Sequence, residues 1–292
     1  MRAILAWIHS HPRLSWSALV AYAALVIFPH EKVQYVVNLF CIRYTHRRVY
    51  QASAVIAIVE LLILTPILWR ALARQPARRT IAVAWIVTVA LMWCIWRVFT
   101  ANNTELVHFP QYLPEGMALL ALTLSPVDAL AWVTFFGGLD ECFQYWHLMA
   151  GRPVGYDFND IYMDLAGGAA GIVLAMAFLY CEPARRTTWK QILHRSGARL
   201  ILALVAGGIV LWASGAMLIY SSPAAHYWFA LSRDKPPQYW YINPLFGPHK
   251  FHELSPIEGP ILILATLALY AQLDRRLRIS TVPASKGAHI AG

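Results

Sequence analysis

Eight apolar runs, most of them near the length needed to cross a bilayer, dominate this chain: residues 14–29, 49–69, 81–99, 105–125, 127–146, 158–180, 200–220 and 256–273. A helix rises 1.5 Å per residue, so about 20 apolar residues span the hydrocarbon core. The sequence therefore predicts an all-α fold, a polytopic transmembrane bundle of about eight spanning helices, the first run being the shortest. Only 13% of the residues are charged, about half the share of a soluble domain.

The net charge of +9 raises the question of nucleic acid. Its distribution answers against it. Arg70, Arg74, Arg78 and Arg79 lie between two runs, Arg185, Arg186, Lys190, Arg195 and Arg199 between two others, and Arg275, Arg276 and Arg278 follow the last. Such short basic clusters mark the cytoplasmic loops of a membrane protein. An alternating path puts all three on one side with both termini, and the tail after Arg278 is expected to be disordered. Loops 100–104, 147–157 and 221–255 then fall outside. The start of the chain has the basic front and apolar run of a signal peptide with a poor cleavage site at Ala21-Tyr22-Ala23, but so many apolar runs follow that a membrane anchor is the better reading.

Residues 30–48 fit the alternation poorly, since they carry Lys32, Arg43, Arg47 and Arg48 on the outer side. Val33, Val36, Val37, Phe40, Cys41 and Tyr44 recur there at helical spacing. The pattern predicts an amphipathic helix on the outer leaflet. The chain divides into an N-terminal pair of spans with this segment (1–79), a core (80–181) and a C-terminal pair with an aromatic-rich outer loop (182–292). Cys41, Cys94, Cys142 and Cys181 form no C-x-x-C and read as small apolar side chains.

The acidic residues are few, 15 in all, and five of them, Asp140, Glu141, Asp157, Asp160 and Asp164, crowd around one outer loop. Asp140, Glu141 and Gln144 share a helix face, and so do Asp157, Asp160 and Asp164. The second face continues inward as Gly167 and Gly171, whose spacing lets another helix backbone come close. A third run places Glu105, His108, Tyr112 and Glu115 on one stripe. Pro110 and Pro114 interrupt it, which predicts a kinked helix across 105–125.

In order along the chain these residues read E-x-x-H-x-x-x-Y (Glu105, His108, Tyr112), D-E-x-x-Q (Asp140, Glu141, Gln144) and D-x-x-x-(N or D)-x-x-G-x-x-x-G (Asp160, Asp164, Gly167, Gly171). The pattern resembles the VanZ-like family of bacterial membrane proteins, over roughly residues 80 to 181. The family usually has Asn where this chain has Asp164. Its name-giving member is associated with low-level resistance to teicoplanin, a lipid-bearing glycopeptide. The resemblance implies a multi-pass protein of the bacterial cytoplasmic membrane acting at the outer face. It implies no particular reaction or cofactor.

Crowded carboxylates at a membrane boundary are candidates for function. The leading expectation is an outward-facing acidic cleft in which Glu105, His108, Tyr112, Asp140, Glu141, Gln144, Asp160 and Asp164 bind an amphiphile, a cell-wall lipid precursor or a lipoglycopeptide, with Arg152 on its anionic group. His108 with Glu105 is the acid/base pair if the cleft is catalytic. Interhelical locking and an oxygen-ligated divalent cation are the plainer alternatives. Glu60 reads as a proton relay of a proton-coupled transporter or as a hydrogen-bonded carboxyl, and Arg97 as a snorkelling side chain or a partner for Glu105 across the turn. The aromatics of 221–255 form an interfacial belt, or a lid over the cluster. His249, His252 and Glu253 do not make the metalloprotease pattern, and no G-x-S-x-G, phosphate loop or dinucleotide fingerprint occurs.

Overall fold

The computed structural model describes residues 1–148, 156–183, 188–222, 226–232, 239–242 and 250–282. Eleven helices occur among them: α1 (Arg2–Ser10), α2 (Pro12–Ile27), α3 (His30–Tyr44), α4 (His46–Leu72), α5 (Arg78–Val98), α6 (His108–Thr123), α7 (Pro126–Phe143), α8 (Phe158–Phe178), α9 (Trp189–Leu193), α10 (Ser196–Ala213) and α11 (Glu258–Arg276). Six short strands accompany them: β1 (Tyr180–Pro183), β2 (Met217–Tyr220), β3 (Phe229–Ser232), β4 (Trp240–Ile242), β5 (Lys250–His252) and β6 (Leu277–Ser280). They pair as β1–β6 antiparallel, β2–β3 parallel and β4–β5 antiparallel. The protein is mostly helical, and the strands qualify the all-α expectation where helix ends and the segment between α10 and α11 need backbone partners. Residues 279 and 280, the start of the tail expected to be disordered, are held in β6 against β1, which follows α8.

Four helices, α4, α5, α8 and α10, are long and apolar enough to cross a membrane, and the bent pair α2–α3 brings the number to five. This is a multi-pass membrane architecture. Among the other expected crossings, α6 has only 16 residues and α7 carries Asp128, Asp140 and Glu141. Neither reads as a lipid-facing rod.

At the centre lies α8, with 94% of its apolar window buried by protein, against 6% for α4 and α10. Glycines bring α6 onto it. A Cβ at Gly167 would sit 2.6 Å from the Phe109 carbonyl oxygen, and one at Gly171 would collide with that of Leu113. Gly116 meets the backbone of Gly168 in the same way, and Gly168 accepts the Val133 side chain of α7. Every one of these contacts requires hydrogen in place of a side chain, so the glycines set the spacing of α6, α7 and α8.

The basic stretches gather at one end. Gln75, after α4, donates to the Ala177 and Leu179 carbonyls at 2.8 and 2.5 Å, and the Ala77 amide to Cys181. Arg195, before α10, meets Asp274 of α11 at 2.7 Å, and Asp274 also accepts from Ser125 Oγ and the Val127 amide. The Gly197 amide donates to Asp128 at 3.0 Å. Arg2 reaches the Phe178 carbonyl at this same end. From there α2 runs to the opposite end, where Tyr22 donates to the Gln111 carbonyl and His30 comes within 3.8 Å of Asp140. The break between α2 and α3 bends the path by 46°.

Candidate functional site at the acidic end

Opposite the basic end, the first turn of α6, the last turns of α7 and the first turns of α8 meet. His108 opens α6, preceded by a 3-10 turn, Asn103–Val107. Pro110 then falls in the first helical turn, where its missing N–H has no cost. Glu105 therefore belongs to the turn and is not continuous with the His108 stripe, contrary to the kinked helix expected. Its carboxylate accepts from the Ala101 amide at 2.8 Å and from Asn102 Nδ2 at 2.6 Å. It thus pairs with the loop, neither with Arg97 nor with His108. It remains within range of the charges on Asp160 and Asp157.

The partner of His108 is instead Asp164, with Nδ1 to Oδ1 at 2.7 Å, while Nε2 lies 3.7 Å from Asp160 Oδ2. His108, Asp164 and Tyr112 are buried, and the Asp160 side chain is the most open of the group, at 17% exposed. Glu141 is also buried. It accepts from Gln144 Nε2 at 2.8 Å and from the Asp157 amide at 3.1 Å, which ties the end of α7 to the start of α8. Gln144 begins a π-helical turn, Gln144–Leu148, a widening that is common where helices carry functional side chains. Asp140 points to the other side, toward His30 and Asp164.

Asp157 caps α8 by accepting from the Asn159 amide at 2.9 Å. Crowding by protein atoms, and then the Asp160 charge, push its carboxyl up to about 7 although its surface is open to solvent. The Glu253 carboxyl is likewise raised to about 7, by desolvation first and by the Asp157 charge second.

Glu115, one turn below Tyr112, completes the column. Its side chain is buried, and its Oε1 has no hydrogen-bond partner among the described residues. Asp140 Oδ1 and Asp164 Oδ2 share that condition. No Lys or Arg among the described residues pairs with any of these carboxylates; the basic groups that face them are the imidazoles of His108 and His30. Arg152, the expected anion contact, lies outside the described residues, as do Arg185, Arg186 and His249. No group of three His, Cys, Asp or Glu among the described residues is arranged to hold a metal ion.

The expected open cleft is not what packing produces. His108, Tyr112, Asp140, Glu141 and Asp164 are buried where α6, α7 and α8 meet, because the glycine contacts below draw these helices to backbone distance. An aromatic roof stands beside them. Phe229 of β3 packs against Tyr145, Trp146 and Tyr156 with ring centroids at 4.7, 5.4 and 5.6 Å. Tyr156 donates to the Gly138 carbonyl at 2.6 Å and its amide to Leu231. Residues 229–231 of the aromatic-rich loop thus pack against the end of α7 and the segment before α8.

Asn159 escaped the sequence reading. It donates to the carbonyls of Phe99 and His252 at 2.7 and 2.9 Å and accepts from the Leu254 amide at 2.7 Å. One buried amide thereby joins α5, α8 and the segment before α11. No family model matches the sequence, and no curated protein or solved structure matches it either.

Proposed function

We propose that the acidic recess binds the donor-rich head group of an amphiphile at the outer face of a bacterial cytoplasmic membrane. The observation that carries this reading is the set of three buried carboxyl oxygens that make no close hydrogen bond, Glu115 Oε1, Asp140 Oδ1 and Asp164 Oδ2, with Tyr112 beside Asp164 and Gln144 beside Asp140. A buried acceptor left unmade costs about 1–3 kcal/mol, so hydroxyls or an ammonium supplied by a ligand would be stabilising there. Asp160, Asp157 and Glu105 form the more open rim, and the apolar tail would run into the bilayer. The motif resemblance to the VanZ-like family suggests a cell-wall lipid precursor or a lipid-bearing glycopeptide antibiotic as the amphiphile, and a contribution to resistance against the latter.

The topology that goes with this reading has eight crossings, both termini cytoplasmic and the recess outside. Its support is the alternation of contacts. α2, α5, α7 and α10 lead away from the basic end, α4, α6, α8 and α11 return to it, and α3 links two rods at the acidic end. Basic clusters at the other end match cytoplasmic loops.

Native mass spectrometry in a mild detergent tests the binding. Wild type should retain a lipid that an Asp160→Ala/Asp164→Ala variant loses; equal retention ends the proposal. A reporter fused in the 147–157 loop and active only in the cytosol would end the topology.

A second reading has its own observation. Asp164 holds His108 Nδ1 at 2.7 Å and leaves Nε2 directed toward the more open Asp160. That is how an acid/base histidine is oriented. A hydrolase or transferase predicts that His108→Ala abolishes turnover while the lipid stays bound.

A further inference from the structure

A cavity of about 310 Å3 opens on the flank of the bundle between α4, α5 and α6. That volume falls within the range of small-ligand sites. Its walls are aliphatic and aromatic, with Trp85, Trp93 and Trp96 of α5 and Leu61 of α4 prominent among them. None of the carboxylates of the acidic recess lines it. Its single titratable lining group is Glu60, on α4. No described residue gives Glu60 a hydrogen bond or an ion pair, and no basic side chain lines the cavity.

A carboxylate on a lipid-facing helix is costly to keep without a partner. An acyl-chain site would gain nothing from it, and a site for an anion would be harmed by it. We propose that this cavity binds a lipophilic cation, such as an amphiphilic amine or a quaternary ammonium or phosphonium ion. The positive centre would lie against Glu60 and the apolar body against the tryptophan faces. Trp93 and Trp96 already meet edge to face with centroids 5.0 Å apart, so their rings form a corner of two planes. A cation over such faces gains a further attraction from the ring quadrupole, and the gain rises when water is excluded.

The test is saturable binding of tetraphenylphosphonium to the full chain in neutral detergent, followed by tryptophan fluorescence. Glu60→Gln should weaken binding at least tenfold, and Glu60→Asp should restore most of it. Ala57→Trp, which fills the cavity and keeps the charge, should weaken binding by a similar factor. Triphenylphosphine oxide, neutral and similar in shape, should compete at least tenfold less well. Equal binding by Glu60→Gln overturns the proposal. So does equal competition by the neutral compound, which would make this a site for apolar chains. Should Glu60→Gln fail to fold, undiminished binding by Ala57→Trp overturns it instead.

Discussion

His108 on α6 and Asp164 on α8 meet at 2.7 Å, one helical turn above the glycine contacts that hold the two backbones together. The pair therefore reports on the spacing of α6 and α8 as well as on the recess. Asn at position 164 keeps an oxygen for His108 and removes the charge. Asp164→Asn should leave the unfolding temperature nearly unchanged and lower affinity for the retained lipid about tenfold, the value of one charge-assisted hydrogen bond. Asp164→Ala should in addition destabilise by about 1–3 kcal/mol, since the buried Nδ1 of His108 loses its acceptor. Titrated lipid binding and thermal unfolding separate the two effects, and unchanged affinity in Asp164→Asn would falsify the role assigned to the charge.

The glycine seam is open to direct test. Gly171→Val forces a side chain into the Leu113 carbonyl, and overpacking of this kind costs typically about 1–3 kcal/mol. Gly207→Ala on α10 has nothing within 4 Å of the new methyl and should be neutral or slightly stabilising, as Ala is the better helix former. Thermal unfolding of the two variants in one detergent should differ by several degrees. Identical midpoints would show that α6 and α8 do not pack through these glycines.

Much of this arrangement is readable in the residues. The apolar lengths of α4, α5, α8 and α10 mark them as rods, and the spacing of Gly167 and Gly171 marks the face that takes a neighbour. The grouping of Asp140, Glu141, Asp160 and Asp164 follows from two helices leaving one loop. What could not be read is which polar group takes which partner. Glu105 has the right spacing to join His108, yet nearer donors at Ala101 and Asn102 claim it once the first turn tightens to 3-10. Asn159 looks like one more polar residue after a cap. Its three partners come from residues 60 to 95 positions away, and no local pattern encodes those. The strand pairs β2–β3 and β4–β5 are each three or four residues long, too short for an alternation to stand out among aromatics.

Stability should depend on pH through Asp157 and Glu253. Both carboxyls titrate near 7 in the folded protein, against 3.8 and 4.5 for the ordinary groups. The folded state therefore binds more protons in that interval. Stability is greatest below about pH 4 as far as these groups are concerned, and it is lost as pH rises toward 7. Thermal unfolding from pH 4.5 to 8 should show the decline. Asp157→Asn combined with Glu253→Gln, which keeps the capping oxygen of α8, should flatten it. A slope equal to that of wild type would sink this assignment.

At the basic end, Asp274 is buried and takes hydrogen bonds from Arg195, Ser125 and the Val127 amide. Removing the acid leaves all three donors unmet. Asp274→Ala should cost about 3 kcal/mol, and Arg195→Ala less, because the guanidinium is 29% exposed. The double variant should cost less than the sum of the singles. Strict additivity in chemical denaturation would show that the two side chains act independently.

The burial of α8 has a bearing on how the chain is assembled. A segment that carries Asp160 and Asp164 in its first two turns and is walled in by other helices finds partners for those acids only once α6 and α7 are in place. Biogenesis of this protein should therefore stall as a loosely held, protease-sensitive species whenever α6 is damaged, even though every residue of α8 is intact.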